Sequence, residues 1–171
     1  MARHTGTVLV DTNVIIEAHR IDAWRALSGG YSIETVDDCV TETQTGRQRR
    51  NPEQQIDEVA LRLSLSKVHD VTDLERAQVA LKAEGIALDR GEHSLWAHTD
   101  HHSQGWVLCG PDKASLRLGV RLGYREQLVS LEELLIAVGD AHVGALKHAY
   151  TTVWLNKTLS EIVISEMGRP K

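Results

Sequence analysis

The chain has 171 residues, 42% of them hydrophobic and 25% charged, a composition typical of an ordinary globular domain. At this length a chain buries about 70% of the surface it exposes when unfolded, so neither disulfides nor a structural metal are needed for folding. Nineteen basic residues against 24 acidic ones leave a net charge of −5, which excludes indiscriminate attraction of the whole molecule to nucleic acid. Any such contact must come from a local patch or a bound metal.

Cys39 and Cys109 lie seventy positions apart and form no CxxC pair. That argues against a disulfide scaffold or a zinc ribbon and fits a reducing, cytoplasmic compartment. The apolar run Thr7–Ile16 is broken by Asp11 and Asn13, too short and too polar for a signal peptide or a membrane span.

In chain order, Thr7-Val8-Leu9-Val10 is a compact strand-like run that passes through Asp11-Thr12-Asn13, residues suited to turns and helix caps. The spacing then predicts a helix over Val14–Leu27, stopped by Gly29-Gly30. Ile33–Val36 reads as a second strand, followed by a helix through Val40 and Glu42. Thr45–Gln55, with Arg47, Arg49, Arg50 and Asn51-Pro52, is a polar connection. Ile56–Leu65 is read as a helix and Lys67–Val71 as a strand. Thr72-Asp73 caps a helix through Leu81 that Gly85 ends.

Leu88-Asp89-Arg90-Gly91-Glu92 opens a helix carrying Leu95 and Trp96. Trp106–Cys109 is a fourth strand, and Gly110-Pro111-Asp112 leads into a helix to Leu122. Gln127–Ser130 is a fifth strand, with helices at Leu131–Val138 and Thr151–Glu166. Strands separated by helices predict an α/β fold, a three-layer α/β/α sandwich with a mostly parallel sheet. It is read as one domain over residues 1–171, with a core over about 7–135 and a C-terminal helical segment over about 131–167.

Open parallel sheets bind ligands beyond the carboxyl ends of their strands. Asp11 follows the first strand directly, Asp112 follows the fourth by three residues, and Glu42 is placed near the start of the helix after the second strand. Glu92 shares a helical stripe with Leu95 and Trp96, which turns it inward. Carboxylates gathered on one rim repel, and a divalent cation relieves that repulsion. An oxygen-only set with no adjacent Cys or His suits Mg²⁺ or Mn²⁺ rather than zinc. Each acid also has a purely structural reading. Asp11 and Asp112 precede helices and suit N-caps, Asp89 with Glu92 fits a capping box, and Glu42 is a carboxylate on a helix.

Val8-Leu9-Val10-Asp11-Thr12-Asn13-Val14 resembles the opening of the PIN-domain nucleases, whose first strand ends in Asp followed by Thr or Ser and often Asn. Leu88–Glu92 is similar to the segment supplying a later acid in one branch of that family. Trp106–Cys109 with Asp112 and the Arg117–Gly123 helix end resembles the stretch carrying the last acid. The resemblance runs from Thr7 to Leu135 in order and spacing. It implies a Mg²⁺- or Mn²⁺-dependent endoribonuclease of the VapC-like kind. Asp11, Glu92 and Asp112 would be metal ligands, Glu42 a further catalytic acid, and Thr12 and Asn13 would orient Asp11 and the metal-bound waters.

By the same resemblance the protein would be a homodimer acting on RNA, and many members of the family are toxins silenced by a cognate antitoxin of the VapB type, a role the resemblance extends to this chain. The family's frequent acidic pair after the fourth strand is replaced here by Gly110-Pro111 and a single Asp112, which leaves the number of metals open.

Arg47, Arg49, Arg50 and Lys113 are candidate phosphate contacts, contributing affinity without sequence readout. An exposed loop and an exposed lysine are the plain alternatives. His98, His101 and His102 have helical metal-binding spacing, but no Glu or Cys completes a motif beside them, and a solvated helix end is expected. Trp24, Trp96, Trp106 and Trp154 are expected to supply core bulk in a chain without Phe.

Two rival classes are a non-catalytic PIN-like module binding RNA or protein, and a receiver-like or nucleotide-binding α/β domain. The chain has neither GxxxxGK[ST] nor GxGxxG, no second acid beside Asp11 and no Lys after the fifth strand.

Overall fold

A computed structural model describes residues 3–45, 55–101 and 104–169. The alternation of apolar residues along the strands decides the architecture. In β1 (Thr7–Val10), Val8 and Val10 enter one core and Leu9 the other, and all three are fully buried. In β4 (Trp106–Cys109), Trp106 and Leu108 join Leu9, while Cys109 joins Val8 and Val10. A strand buried on both faces needs helices on both sides, and this is what the chain provides.

The strands β1, β2 (Ser32–Val36), β3 (Lys67–His69), β4 and β5 (Leu128–Val129) form one all-parallel sheet in the order β3-β2-β1-β4-β5. The three-layer α/β/α sandwich expected from the sequence is the fold observed.

One face is covered by α1 (Thr12–Arg20), α2 (Trp24–Gly30), α4 (Glu58–Ser64) and α8 (Leu131–Ala137), through residues such as Val14, Leu27, Leu61 and Leu135. The other carries α3 (Asp37–Gln44), α5 (Asp73–Lys82), α6 (Arg90–Thr99), α7 (Lys113–Arg121) and α9 (Thr152–Met167), through Cys39, Val79, Trp96, Leu116 and Leu159. The C-terminal segment thus docks on the body. Among the described residues no helix is long and apolar enough to cross a membrane.

The single helix predicted over Val14–Leu27 is two helices. Asp22 stands at φ 60°, a left-handed conformation that Asp tolerates better than most residues. The amide of Ala23 donates to Ala18 O at 2.8 Å and that of Asp22 to His19 O at 3.1 Å, the paired bonds that close a helix C-terminus. Gly29 and Gly30 consequently belong to the end of α2 and do not stop the first helix. The third and fifth strands are shorter than expected, ending at His69 and spanning only Leu128–Val129.

Trp96 fixes the register between α6 and α7. It is fully buried, it lies edge-on to Trp106 with ring centres 6.4 Å apart, and its Nε1 donates to Ser115 Oγ at 2.8 Å. A buried indole is stable when its N–H finds such a partner. Trp24 and Trp106 are also buried and Trp154 packs against the second core, as core bulk requires.

Candidate functional site

The strand order reverses direction at β1, whose neighbours are β2 on one side and β4 on the other. Parallel sheets open a crevice at such a point, beyond the strand ends. Asp11 leaves β1 there and Asp112 follows β4 there. Asp11 is 4% exposed, caps α1, and accepts the Val14 amide at 2.8 Å. Burial pushes its carboxyl up to about 7, reinforced by the neighbouring charges of Asp89, Asp112 and Glu42, while the Val14 amide opposes the shift. Desolvation disfavours the ionised form and like charges add to it.

Glu92 is buried one turn before Trp96, at the start of α6. It forms a capping box with Asp89, whose Oδ1 accepts the Glu92 amide at 2.8 Å while Glu92 Oε2 accepts the Asp89 amide at 3.0 Å. Its carboxyl is raised to about 8, first by burial and then by Asp112, Asp89 and Asp11, against the Asp89 amide. Glu92 thus caps its helix, the structural reading of this residue, and lies close enough to Asp112, Asp89 and Asp11 for their charges to raise it. Asp112 caps α7, its Oδ1 accepting the amides of Ala114 and Ser115 at 2.8 and 3.0 Å.

Glu42 does not lie near the start of its helix. α3 begins directly at Asp37, with Val36 of β2 as its cap, so Glu42 falls in the last turn. From there it reaches across to two other helices. Thr12 Oγ1 donates to its Oε2 at 2.7 Å, and the Gly91 amide donates to its Oε1 at 2.9 Å. This joins Glu42 to the segment carrying Glu92. The start of α6 is held against α3 by Asp38, which accepts from Arg90 Nε at 2.7 Å, Arg76 Nη1 at 3.3 Å and the Ser94 hydroxyl.

Two sequence expectations about the surroundings are corrected. Thr12 orients Glu42 and not Asp11, because its hydroxyl points across to α3, where it also meets Cys39 O at 3.3 Å. Asn13 is exposed, and its backbone carbonyl, not its side chain, accepts the Tyr150 hydroxyl at 3.3 Å. Asp11 instead uses the Val14 amide.

Thr12→Val is therefore expected to cost about 1–2 kcal/mol by removing a donor to a partly buried carboxylate. Asn13→Ala should change stability by no more than about 0.5 kcal/mol. Urea denaturation of the two variants tests the difference, and equal losses would contradict the geometry.

The carboxyl end of the sheet, where such folds open a crevice, therefore gathers Asp11, Glu42, Glu92 and Asp112, with Asp89 as a fifth carboxylate. The sequence marked Asp89 only as a cap, although its place three residues before Glu92 was visible. Among the described residues, no three of these acids bring carboxylate oxygens within 4.8 Å of one another. Asp11, Glu92 and Asp112, the three acids expected to hold one cation, are thus not brought within a single ion's reach, which is the arrangement a non-catalytic module predicts.

Lys113 is exposed at the start of α7 and lines a groove with Arg117, Gly85, Ile86 and Ala87. Arg47, Arg49 and Arg50 lie outside the described residues, as does His102. Neither cysteine supplies a nucleophile at neutral pH, since burial raises both thiols, Cys39 to about 12. No protein-family model matches the chain, and no curated protein matches it significantly.

Proposed function

We propose that the protein is a divalent-cation-dependent endoribonuclease that hydrolyses RNA phosphodiester bonds at the acidic crevice. The observation that carries this reading is the gathering of Asp11, Glu42, Glu92 and Asp112 at the reversal point of a parallel sheet. Two of these acids, Asp11 and Glu92, are buried and raised in pKa first by burial and then by the charges of neighbouring carboxylates. Perturbed carboxylates in a cleft mark a functional site more often than chance allows. An all-oxygen donor set fits Mg²⁺ or Mn²⁺. Asp11, Glu92 and Asp112 would hold the cation, with Glu42 completing the rim. When bound, such a cation activates water and neutralises charge on the phosphate under attack.

The chain's own residues supply the rest. Thr12 and the Gly91 amide hold the Glu42 carboxylate in one orientation. Lys113 and Arg117, on the groove beside Asp112, offer positive charge to the phosphate backbone of a substrate. RNA as substrate, a homodimeric state and a cognate antitoxin are proposals from the resemblance to PIN-domain nucleases, and a cytoplasmic location is one from the sparse cysteines.

The second reading is a non-catalytic module. It is favoured by the occupied hydrogen bonds of the acids, since Asp11, Glu92 and Asp112 all cap helices.

End-labelled structured RNAs incubated with Mg²⁺, Mn²⁺ or EDTA distinguish the two. Cleavage is expected with either cation, absent in EDTA, leaving 5′-phosphate and 3′-hydroxyl ends. Asp112→Asn should lower the rate by more than the ~10–100-fold that loss of even an outer partner of a metal site costs. Undiminished cutting by that variant, or none by folded protein shown to bind the cation, would replace the nuclease by the module.

A further inference from the structure

A different cluster lies away from the acidic crevice. Glu34 on β2 and His69 at the end of β3 project from the sheet face that α6 covers, and His98 meets them from α6. One ligand atom from each of the three lies within 4.8 Å of the others. Glu34 Oε2 and His69 Nε2 are 2.6 Å apart, and the His69 and His98 rings stack with centres 3.7 Å apart at 22°. The Glu34 and His69 side chains are only 15% and 12% exposed. Thr7 Oγ1 donates to the other Glu34 oxygen at 3.3 Å, the kind of outer hydrogen bond that aims a ligating carboxylate.

His98 lies six residues beyond Glu92, about 9 Å along the helix. The two clusters therefore sit at different levels of the same helix, and neither shares a residue with the other.

We propose that Glu34, His69 and His98 form a second cation site, of the zinc class, independent of the nuclease reading. Two imidazoles and one carboxylate favour Zn²⁺ over Mg²⁺, and three protein ligands leave a fourth position for water or another ligand. Zn–ligand distances near 2.0–2.1 Å place tetrahedral ligand atoms about 3.3 Å apart. That separation lies between the 2.6 Å of the Glu34–His69 pair and the 4.8 Å bound of the cluster. An imidazole ligates through a lone pair in its own ring plane, so the stacked rings of His69 and His98 turn out of their face-to-face contact as the ion enters, with the metal replacing the proton shared by Glu34 and His69. The bound ion ties the edge strand β3 and its neighbour β2 to α6. His101, three residues further on, is directed instead to Glu75, 3.9 Å away.

The test is calorimetric titration of Zn²⁺ into the untagged, EDTA-treated full chain, with Co²⁺ absorption reporting coordination. One ion per chain is expected, with a tetrahedral Co²⁺ spectrum and a raised thermal midpoint, and uptake should persist in excess Mg²⁺. Binding should survive Asp11→Asn, which separates this site from the crevice, and disappear in His98→Gln and His69→Gln. Thr7→Val should weaken it about tenfold. If either histidine variant fails to fold, Glu34→Gln replaces it and is expected to abolish the Co²⁺ spectrum. Absence of Zn²⁺ uptake by the folded chain, or uptake unchanged in folded His98→Gln, would overturn the proposal.

Discussion

At pH 8, in the absence of divalent cations, Asp11→Asn should stabilise the protein by about 2–4 kcal/mol, and should abolish the proposed cation-dependent cleavage. Burial raises the folded-state pKa of Asp11 from 3.8 to about 7, so the folded state favours the protonated acid. The stability associated with this group is complete below about pH 4 and is lost as the pH rises through about 7. The difference between 3.8 and about 7 corresponds to roughly 4 kcal/mol above both values.

Asparagine keeps an oxygen for the Val14 amide and carries no charge, so it recovers much of that loss. For a chain of this size the gain is expected as a rise of about 5–10 °C in thermal midpoint at pH 8, shrinking towards zero at pH 4. Mg²⁺ should raise the wild-type midpoint at pH 8 through preferential binding to the folded state, and leave the variant unmoved. A variant less stable than wild type at pH 8 would show that Asp11 is held by interactions stronger than its desolvation. Such a trade between stability and charge is what the proposed cation site would entail.

The parts of this fold that were legible in the sequence are those governed by local chemistry. The unbroken apolar run Val8-Leu9-Val10 gives β1 its two buried faces, and the run Trp106–Cys109 does the same for β4. Asp89 with Glu92 is a capping box recognisable from spacing, and Thr72 is the N-cap its sequence position announces, completed in the structure by Glu75. Asp22 carries no such signal. Its left-handed conformation is one Asp can adopt, but a glycine there would have announced the break between α1 and α2.

Glu42 was misplaced within α3 because the strand runs into the helix without an intervening loop residue. The Thr12–Glu42 bond joins positions 30 apart, and Glu34, His69 and His98 meet only through β2–β3 pairing and the packing of α6. Such encounters are tertiary and leave no local pattern. The isolated His98–His101–His102 spacing pointed towards the helix's own histidines, whereas His98 faces the sheet.

Two glycines offer a separate test of whether the crevice works as a unit. A Cβ on Gly110 would stand 2.9 Å from Asp11 Oδ2 and 3.1 Å from its Cγ, and one on Gly91 would stand 2.5 Å from Glu42 Oε2. The consequences should differ because the two carboxylates differ in freedom. Asp11 is buried and tethered to the Val14 amide, so Gly110→Ala overpacks a rigid neighbour and is expected to cost about 1–3 kcal/mol. Cleavage should fall with it as the Asp11 carboxylate shifts.

Glu42 ends a longer, only partly buried side chain that can swing away. Alanine is also favoured over glycine within a helix by up to about 1 kcal/mol, which offsets the lost bonds. Gly91→Ala should therefore keep its thermal midpoint within a few degrees of wild type and yet lose as much cleavage as Glu42→Ala. Thermal denaturation with initial rates of cleavage on the same preparations decides this. Full activity in Gly91→Ala beside an inactive Glu42→Ala would mean that Glu42 acts from another position. Full activity in both would remove Glu42 from the site and leave the crevice to Asp11, Glu92 and Asp112.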